Sequence, residues 1–254
     1  MTFQPQNRLE ESVAKAAADP AHRPQFYRDL LESDIFIVEE GPAPEKSGRR
    51  VLTEGYQLKV RHMDWNGKSY IPVFTSLPRL QATIQHEVAY IALNAVEFMK
   101  ITQGANLLLN PGSDYGKEFT KEEIASIIDG SIFRPSERYV AEKETKVMIG
   151  QPANYPKDLV DALSRLFKKT REVKRAYVAH FFNPERDEKP HTLIAIEVSG
   201  DWDKVMASAG IVARDVPSPD PPVDFLQMTG RGGIEDYFRR DSKPFYERKV
   251  FGIF

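Results

Sequence analysis

Beyond Asp129 the apolar periodicity of the chain lapses through Gly130, Pro135, Ser136, Glu137 and Arg138, then resumes with a different order of elements. A polar break bearing proline and glycine, flanked by stretches that each have apolar faces, marks an interdomain connection. The chain has 254 residues, and a domain commonly takes roughly 100–200. The reading is therefore two domains, residues 1–130 and 141–254, joined by a linker over 131–140.

In the first half, Leu9, Val13, Ala16 and Ala17 recur at helical spacing, and Pro20 ends that helix because proline disfavours the helical conformation of the residue before it. A second helix over 22–32 carries Phe26, Leu30 and Leu31, and the β-branched and aromatic run 35–38 reads as a buried strand. Residues 39–53 form a surface loop. Tyr56, Leu58, Val60 and His62 alternate with polar residues ahead of Asn66-Gly67, the dipeptide of a type I′ hairpin turn, and 70–75 returns. Ser76-Leu77-Pro78 opens a helix, 88–93 is a strand, 94–102 a helix and 105–109 a strand. Strands and helices are mixed throughout, so this half is predicted to be a mixed α/β sheet with helices.

The second half runs strand (146–149), helix (155–170), strand (173–182), strand (191–198), helix (201–209), strand (223–228). That β-α-β-β-α-β order is ferredoxin-like, with two helices covering one face of an antiparallel sheet. The fold class is α+β with two domains.

Lys plus Arg number 35 against 37 Asp plus Glu, which gives the whole chain no electrostatic reason to bind nucleic acid or an anionic membrane. The absence of cysteine excludes disulfides, thiol catalysis and cysteine-ligated metal sites. No apolar run approaches the roughly 18 residues that span a bilayer, and the first residues lack the apolar core of a signal peptide. A cytoplasmic protein is expected, with no membrane association and no cofactor.

The stretch 110–119 reads as a loop leaving a strand rim and entering a helix, with Thr120 and Glu123 as a capping box ahead of Ile124, Ile127 and Ile128. A glycine-bearing loop with a lysine beside helix N–H groups suits binding, including of an anion. Asn110, Gly112, Ser113, Tyr115, Gly116 and Lys117 are the candidate binding residues, the glycines supplying shape and Lys117 and Tyr115 the chemistry. The loop is not a nucleotide P-loop: Gly112 and Gly116 are one residue too close, and Lys117 is followed by Glu118 instead of Ser or Thr. A tight turn feeding a capped helix is the structural alternative.

No catalytic constellation is legible. The five histidines include no pair three or four apart, His86-Glu87 lacks a second histidine, and Ser113 is not in a Gly-x-Ser-x-Gly elbow. Gly230, Gly232 and Gly233 lack the third glycine spacing and the downstream acid of a dinucleotide site, so they read as a turn. At the tail, Phe245, Tyr246 and Arg248 belong to a mix of aromatic and basic side chains that suits a protein interface or base stacking, or else folds back with the aromatics buried.

With these residues in view, the chain resembles the SseB family of bacterial proteins over nearly its full length. The matching stretches are Asp19-Pro20-Ala21-His22-Arg23-Pro24, Leu30-Leu31-Glu32-Ser33, Ile71-Pro72-Val73-Phe74-Thr75-Ser76, Gly116-Lys117-Glu118-Phe119, Val173-Lys174-Arg175-Ala176 and Pro244-Phe245-Tyr246-Glu247-Arg248. The resemblance implies an N-terminal and a C-terminal SseB domain and a link to serine sensitivity, from which the family is named, and it carries over no catalytic residue. The expected function is that of a non-enzymatic interaction or regulatory protein with a protein partner. The alternative is a small-ligand sensor for an amino acid, bound on the second domain; an uncharacterised hydrolase ranks third.

Overall fold

The structure, a computed structural model, describes residues 3–41, 58–134, 146–230 and 233–249. The chain divides into two compact units, Met1–Ala18 with Gln25–Ile132, and Asp19–Pro24 with Phe133–Phe254. The α+β, two-domain class is as expected.

The first unit contains α1 (Arg8–Ala18), α2 (Arg23–Leu31, of which Arg23 and Pro24 count with the second unit), β1 (Asp34–Glu39), β2 (Met63–Trp65), β3 (Lys68–Phe74), α3 (Leu77–Thr83), β4 (Ala89–Asn94), α4 (Ala95–Ile101), β5 (Leu107–Leu109), β6 (Lys117–Phe119) and α5 (Lys121–Ile128). Its sheet runs β4-β1-β3-β5-β6, with β2 beside β3. Among the described strands of this unit only β3 and β5 are parallel. The turn between β2 and β3 has positive φ at Asn66 (51°) and Gly67 (74°), as a type I′ hairpin requires.

Residues 70–76 are buried without a break, making β3 the spine of the unit. Pro72 sits within it although proline gives a ladder no N–H. Register places Pro72 opposite Val38, and the Val38 carbonyl accepts from the Arg61 N–H at 3.2 Å instead. Proline therefore ends the β1–β3 pairing without orphaning a carbonyl. Residues 42–57, which include Tyr56 of the expected hairpin, lie outside the described residues.

The second unit contains β7 (Met148–Gly150), α6 (Lys157–Lys169), β8 (Val173–Phe182), β9 (His191–Val198), α7 (Trp202–Asp215), β10 (Val223–Gln227), α8 (Gly233–Arg240) and β11 (Tyr246–Glu247). The expected order of elements is present, but the wiring is not the split arrangement of a ferredoxin-like sheet. Strands pair in sequence: β8 lies against β9 and β9 against β10, the last pair parallel. The free side of β8 is shared, with β11 at Arg175–Ala176 and β7 at His180–Phe182. Element order is a local property and strand pairing a long-range one, so the former does not fix the latter.

The helices α6 and α7 bury Leu163, Phe167, Val205 and Val212 on one face of this sheet, together with Ala21 from the segment Asp19–Pro24. The other face is covered by Phe238 of α8 against Tyr177, Phe181 and Leu193. Around Ala21, Asp19 accepts from Arg165 Nε at 3.0 Å and Arg23 pairs with Asp215 at 3.2 Å. Of the expected linker, residues 131–134 are described, and Ile132 is buried in a 3-10 turn; residues 135–140, with Pro135, Ser136, Glu137 and Arg138, lie outside the described residues.

Candidate functional site

The segment 110–116 is the loop of a β-hairpin, because β6 pairs antiparallel with β5 (Leu109↔Lys117, Leu107↔Phe119) before α5 begins. The expected passage from loop directly into helix is thus corrected: three more residues find a strand partner first. Thr120 caps α5, its hydroxyl accepting from the Glu123 N–H at 3.2 Å. The Glu123 carboxylate takes up the Tyr27 hydroxyl and pairs with Lys117 Nζ at 3.0 Å. Lys117 also lies 5.0 Å from the centre of the Phe119 ring. The lysine expected to meet a ligand beside a helix N-terminus is held on β6 by an internal carboxylate and an aromatic face.

Asn110 is fully buried and adopts φ 48°, a left-handed conformation that asparagine tolerates better than most residues. Its Oδ1 accepts from the Thr75 N–H at 2.9 Å and its Nδ2 donates to Thr75 Oγ1 at 3.0 Å. Gly112 has φ 76°. At Gly116 a Cβ would stand 2.8 Å from the Leu109 carbonyl oxygen, so the backbone crossing at the hairpin neck requires glycine. Gly116→Ala is expected to cost about 1–3 kcal/mol, as overpacking does, against no more than about 0.5 kcal/mol for Ser113→Ala. Urea unfolding midpoints of the two variants check this.

Beneath the loop lies a polar network that sequence reasoning missed. The Glu10 side chain is 0% exposed. Its Oε1 accepts from the hydroxyls of Thr75 (2.8 Å) and Ser76 (2.7 Å), and its Oε2 from the Gln6 N–H (2.9 Å) and from Arg79 Nε (3.2 Å) and Nη2 (3.0 Å). Burial by itself would raise the Glu10 pKa; the bonds from Arg79, Ser76, Gln6 and Thr75 outweigh it and hold the carboxyl below its ordinary value. Asn7 caps α1 by accepting from the Glu10 N–H at 2.9 Å and donates to the Thr75 carbonyl at 2.8 Å. The spacing Asn7-x-x-Glu10 ahead of an apolar run was the available signal, a capping-box pattern.

Arg79 joins this network to the surface. Its guanidinium lies 3.9 Å from the centre of the Phe3 ring, and that ring meets Tyr115 edge-on at 4.7 Å. Nη2 also donates to the Gln4 carbonyl at 2.7 Å. Above these groups opens a cleft of about 440 Å³ between α3 and the hairpin loop, lined by Phe3, Arg79, Ala82, Thr83, residues 110–113 and Asp114. Of the expected loop residues, Gly112 and Ser113 stand on its wall with the exposed Asp114, Asn110 braces it from below, and Tyr115 holds Phe3 against Arg79. The cleft offers an oriented cation, a rim carboxylate and hydrogen-bonding groups, which suits recognition.

The tail residues belong to the second unit. The Phe245 N–H donates to the Ala176 carbonyl at 2.9 Å, and Phe245 and Tyr246 pack on Phe167 with ring centres 6.4 and 5.7 Å away. Arg248 donates to the carbonyls of Phe167 (3.1 Å), Thr170 (2.6 Å) and Val173 (3.1 Å), placing a cation on the C-terminal carbonyls of α6. At the glycine turn, the Thr229 and Gly230 N–H groups donate to Glu235 at 2.8 and 2.6 Å, so an internal carboxylate fills the place an anion would take. His191, also buried, is clamped to Asp224 at 3.0 Å at the end of the β8–β9 hairpin. Among the described residues there is no group of three or more acidic or histidine side chains placed to hold a metal, and no helix long and apolar enough to cross a membrane.

Residues 9–126 match the family model described as the SseB protein N-terminal domain, and residues 141–248 the SseB protein C-terminal domain. The chain is 34% identical over 249 residues to Protein SseB of Escherichia coli (strain K12), covering 97% of this chain and 94% of that protein. Protein SseB of Shigella flexneri matches with the same identity and coverage. No solved structure matches the chain.

Proposed function

The chain belongs to the SseB family, and on that premise we propose that it is a cytoplasmic, non-enzymatic interaction or regulatory protein, connected with serine tolerance, whose recognition surface is the cleft of the first unit. The observation that carries the reading is the fixed guanidinium of Arg79. Glu10 orients it from one edge and Phe3 covers its face, so a partner group meeting it finds little side-chain entropy left to lose. Around it Thr83, Ser113 and Asp114 add polar contacts on a rigid hairpin and helix, the arrangement by which loops on a scaffold carry binding. The partner in this reading is a protein segment that brings a carboxylate to Arg79 and a donor to Asp114.

A second reading, a sensor of free amino acids, draws on the same pairing of cation and carboxylate, which suits a zwitterion. Its placement on the second domain rested on ferredoxin-like wiring that the sheet does not have. Affinity purification with the full chain and with Asp114→Arg, alongside calorimetric titration with serine, separates the two. The expected outcome is a protein retained by the wild-type chain, lost with Asp114→Arg, and no heat with serine. Equal retention by both proteins would remove the cleft from the proposal, and saturable heat with serine would favour the sensor.

A further inference from the structure

We propose that β4, the edge strand of the first unit, pairs antiparallel with β4 of a second copy of this chain. The geometry starts from the β1–β4 ladder, which runs without a bulge from Asp34↔Asn94 to Glu39↔Ala89. The Ala95 N–H donates to the Ser33 carbonyl at 2.9 Å, which fixes the alternation. The odd positions of β4, Ala89, Ile91 and Leu93, direct their backbone groups to β1, and the even positions direct theirs outward. Tyr90 and Ala92, both exposed, therefore present N–H and C=O groups along an edge that no described residue pairs.

Proteins that remain monomeric protect such edges with lysine, proline, inward charges or bulges. The strand Ala89-Tyr90-Ile91-Ala92-Leu93-Asn94 has none of these. Its outward residues are two apart, which matches two-fold symmetry about Ile91. Tyr90 of one copy then faces Ala92 of the other as a hydrogen-bonded pair, and the reciprocal pair forms on the far side of the axis. All the outward groups of these two residues are satisfied at once, a large ring lies opposite a methyl group, and no like charges meet. The Tyr90 ring, 41% exposed, already leans on Phe36 at 6.1 Å and would gain cover from the second copy.

Sedimentation velocity of the full chain across a wide range of concentration tests this. The wild-type chain is expected to pass from monomer to dimer as concentration rises. Ala92→Pro removes an outward N–H that the β1 ladder does not use; it is expected to weaken dimerisation by roughly tenfold or more, the effect of about 1.4 kcal/mol. Ala92→Lys, which keeps the N–H and adds a charge to the seam, is expected to do the same even if the proline variant folds poorly. A wild-type chain that stays monomeric throughout, or a dimer equally tight in Ala92→Lys, would overturn the proposal.

Discussion

Replacing Glu10 with alanine is expected to cost about 3 kcal/mol. That is the low end of the range for breaking a buried ion pair, because Arg79 keeps 20% exposure while Glu10 has none. The substitution takes the acceptor from the Ser76 hydroxyl and from Arg79 Nε, while Thr75 Oγ1 keeps Asn110 Oδ1 at 3.1 Å and Arg79 Nη2 keeps the Gln4 carbonyl at 2.7 Å, so the loss comes mostly from the unpaired charge and those two donors. Glu10→Gln separates charge from shape. Because the folded pKa of Glu10 lies below the unfolded value of about 4.3, its stabilisation is fully present above that pH and is lost as pH falls through the folded pKa. The stability gap between wild type and Glu10→Gln, measured by urea unfolding, should therefore be wide at neutral pH and shrink as pH falls below the unfolded value and through the lower folded one. A gap that is constant with pH would mean that hydrogen-bond geometry, and not charge, holds the network.

Truncation after Asp241 is expected to destabilise the second unit by about 4–6 kcal/mol, a large part of what a domain commonly has. Losing the buried ring of Tyr246, 8% exposed, is comparable to a large aromatic-to-alanine change in a core. Arg248 adds three charge-assisted bonds to carbonyls at and just beyond the end of α6. The chain has two tryptophans, so a Trp65→Phe background leaves Trp202, the first residue of α7 and part of the core shared with α6, as the reporter of this unit. Its fluorescence should lose the folded signal at a markedly lower temperature after truncation. An unchanged midpoint would make the tail a segment laid on the surface and available for recognition.

What the sequence discloses here is local chemistry. Ser76 ahead of Pro78 and the Asn66-Gly67 turn each depend on groups within four residues and form as read, and of the Thr120–Glu123 box the half in which Thr120 accepts from the Glu123 N–H forms, while the Glu123 carboxylate is taken by Tyr27 and Lys117. The apolar pattern of 157–169 likewise suffices to place α6. The Glu10 network is another matter: its partners Thr75, Ser76 and Arg79 lie 65 to 69 positions away, and only the fold brings them together. For the same reason the pairing of β6 with β5, and the sequential order of β8, β9 and β10, are not readable from periodicity, which reports a strand's faces and not its neighbours. The stretch 110–117 was legible as a place of interest because asparagine, two glycines and a lysine cluster there. Asn110, Gly116 and Lys117 turn out to spend their chemistry on the scaffold, while the groups turned to the cleft include Arg79 and Asp114, to which no motif points.

The most direct test of recognition at the cleft is site-specific photo-crosslinking in cells, with a photoreactive residue at Ser113 on the cleft wall and, as reference, at the exposed Lys189 of the second unit. The expected result is a discrete protein adduct from position 113, absent from position 189 and lost when Asp114→Arg is added. No adduct from position 113, or the same adduct from both positions, would contradict a partner bound in the cleft.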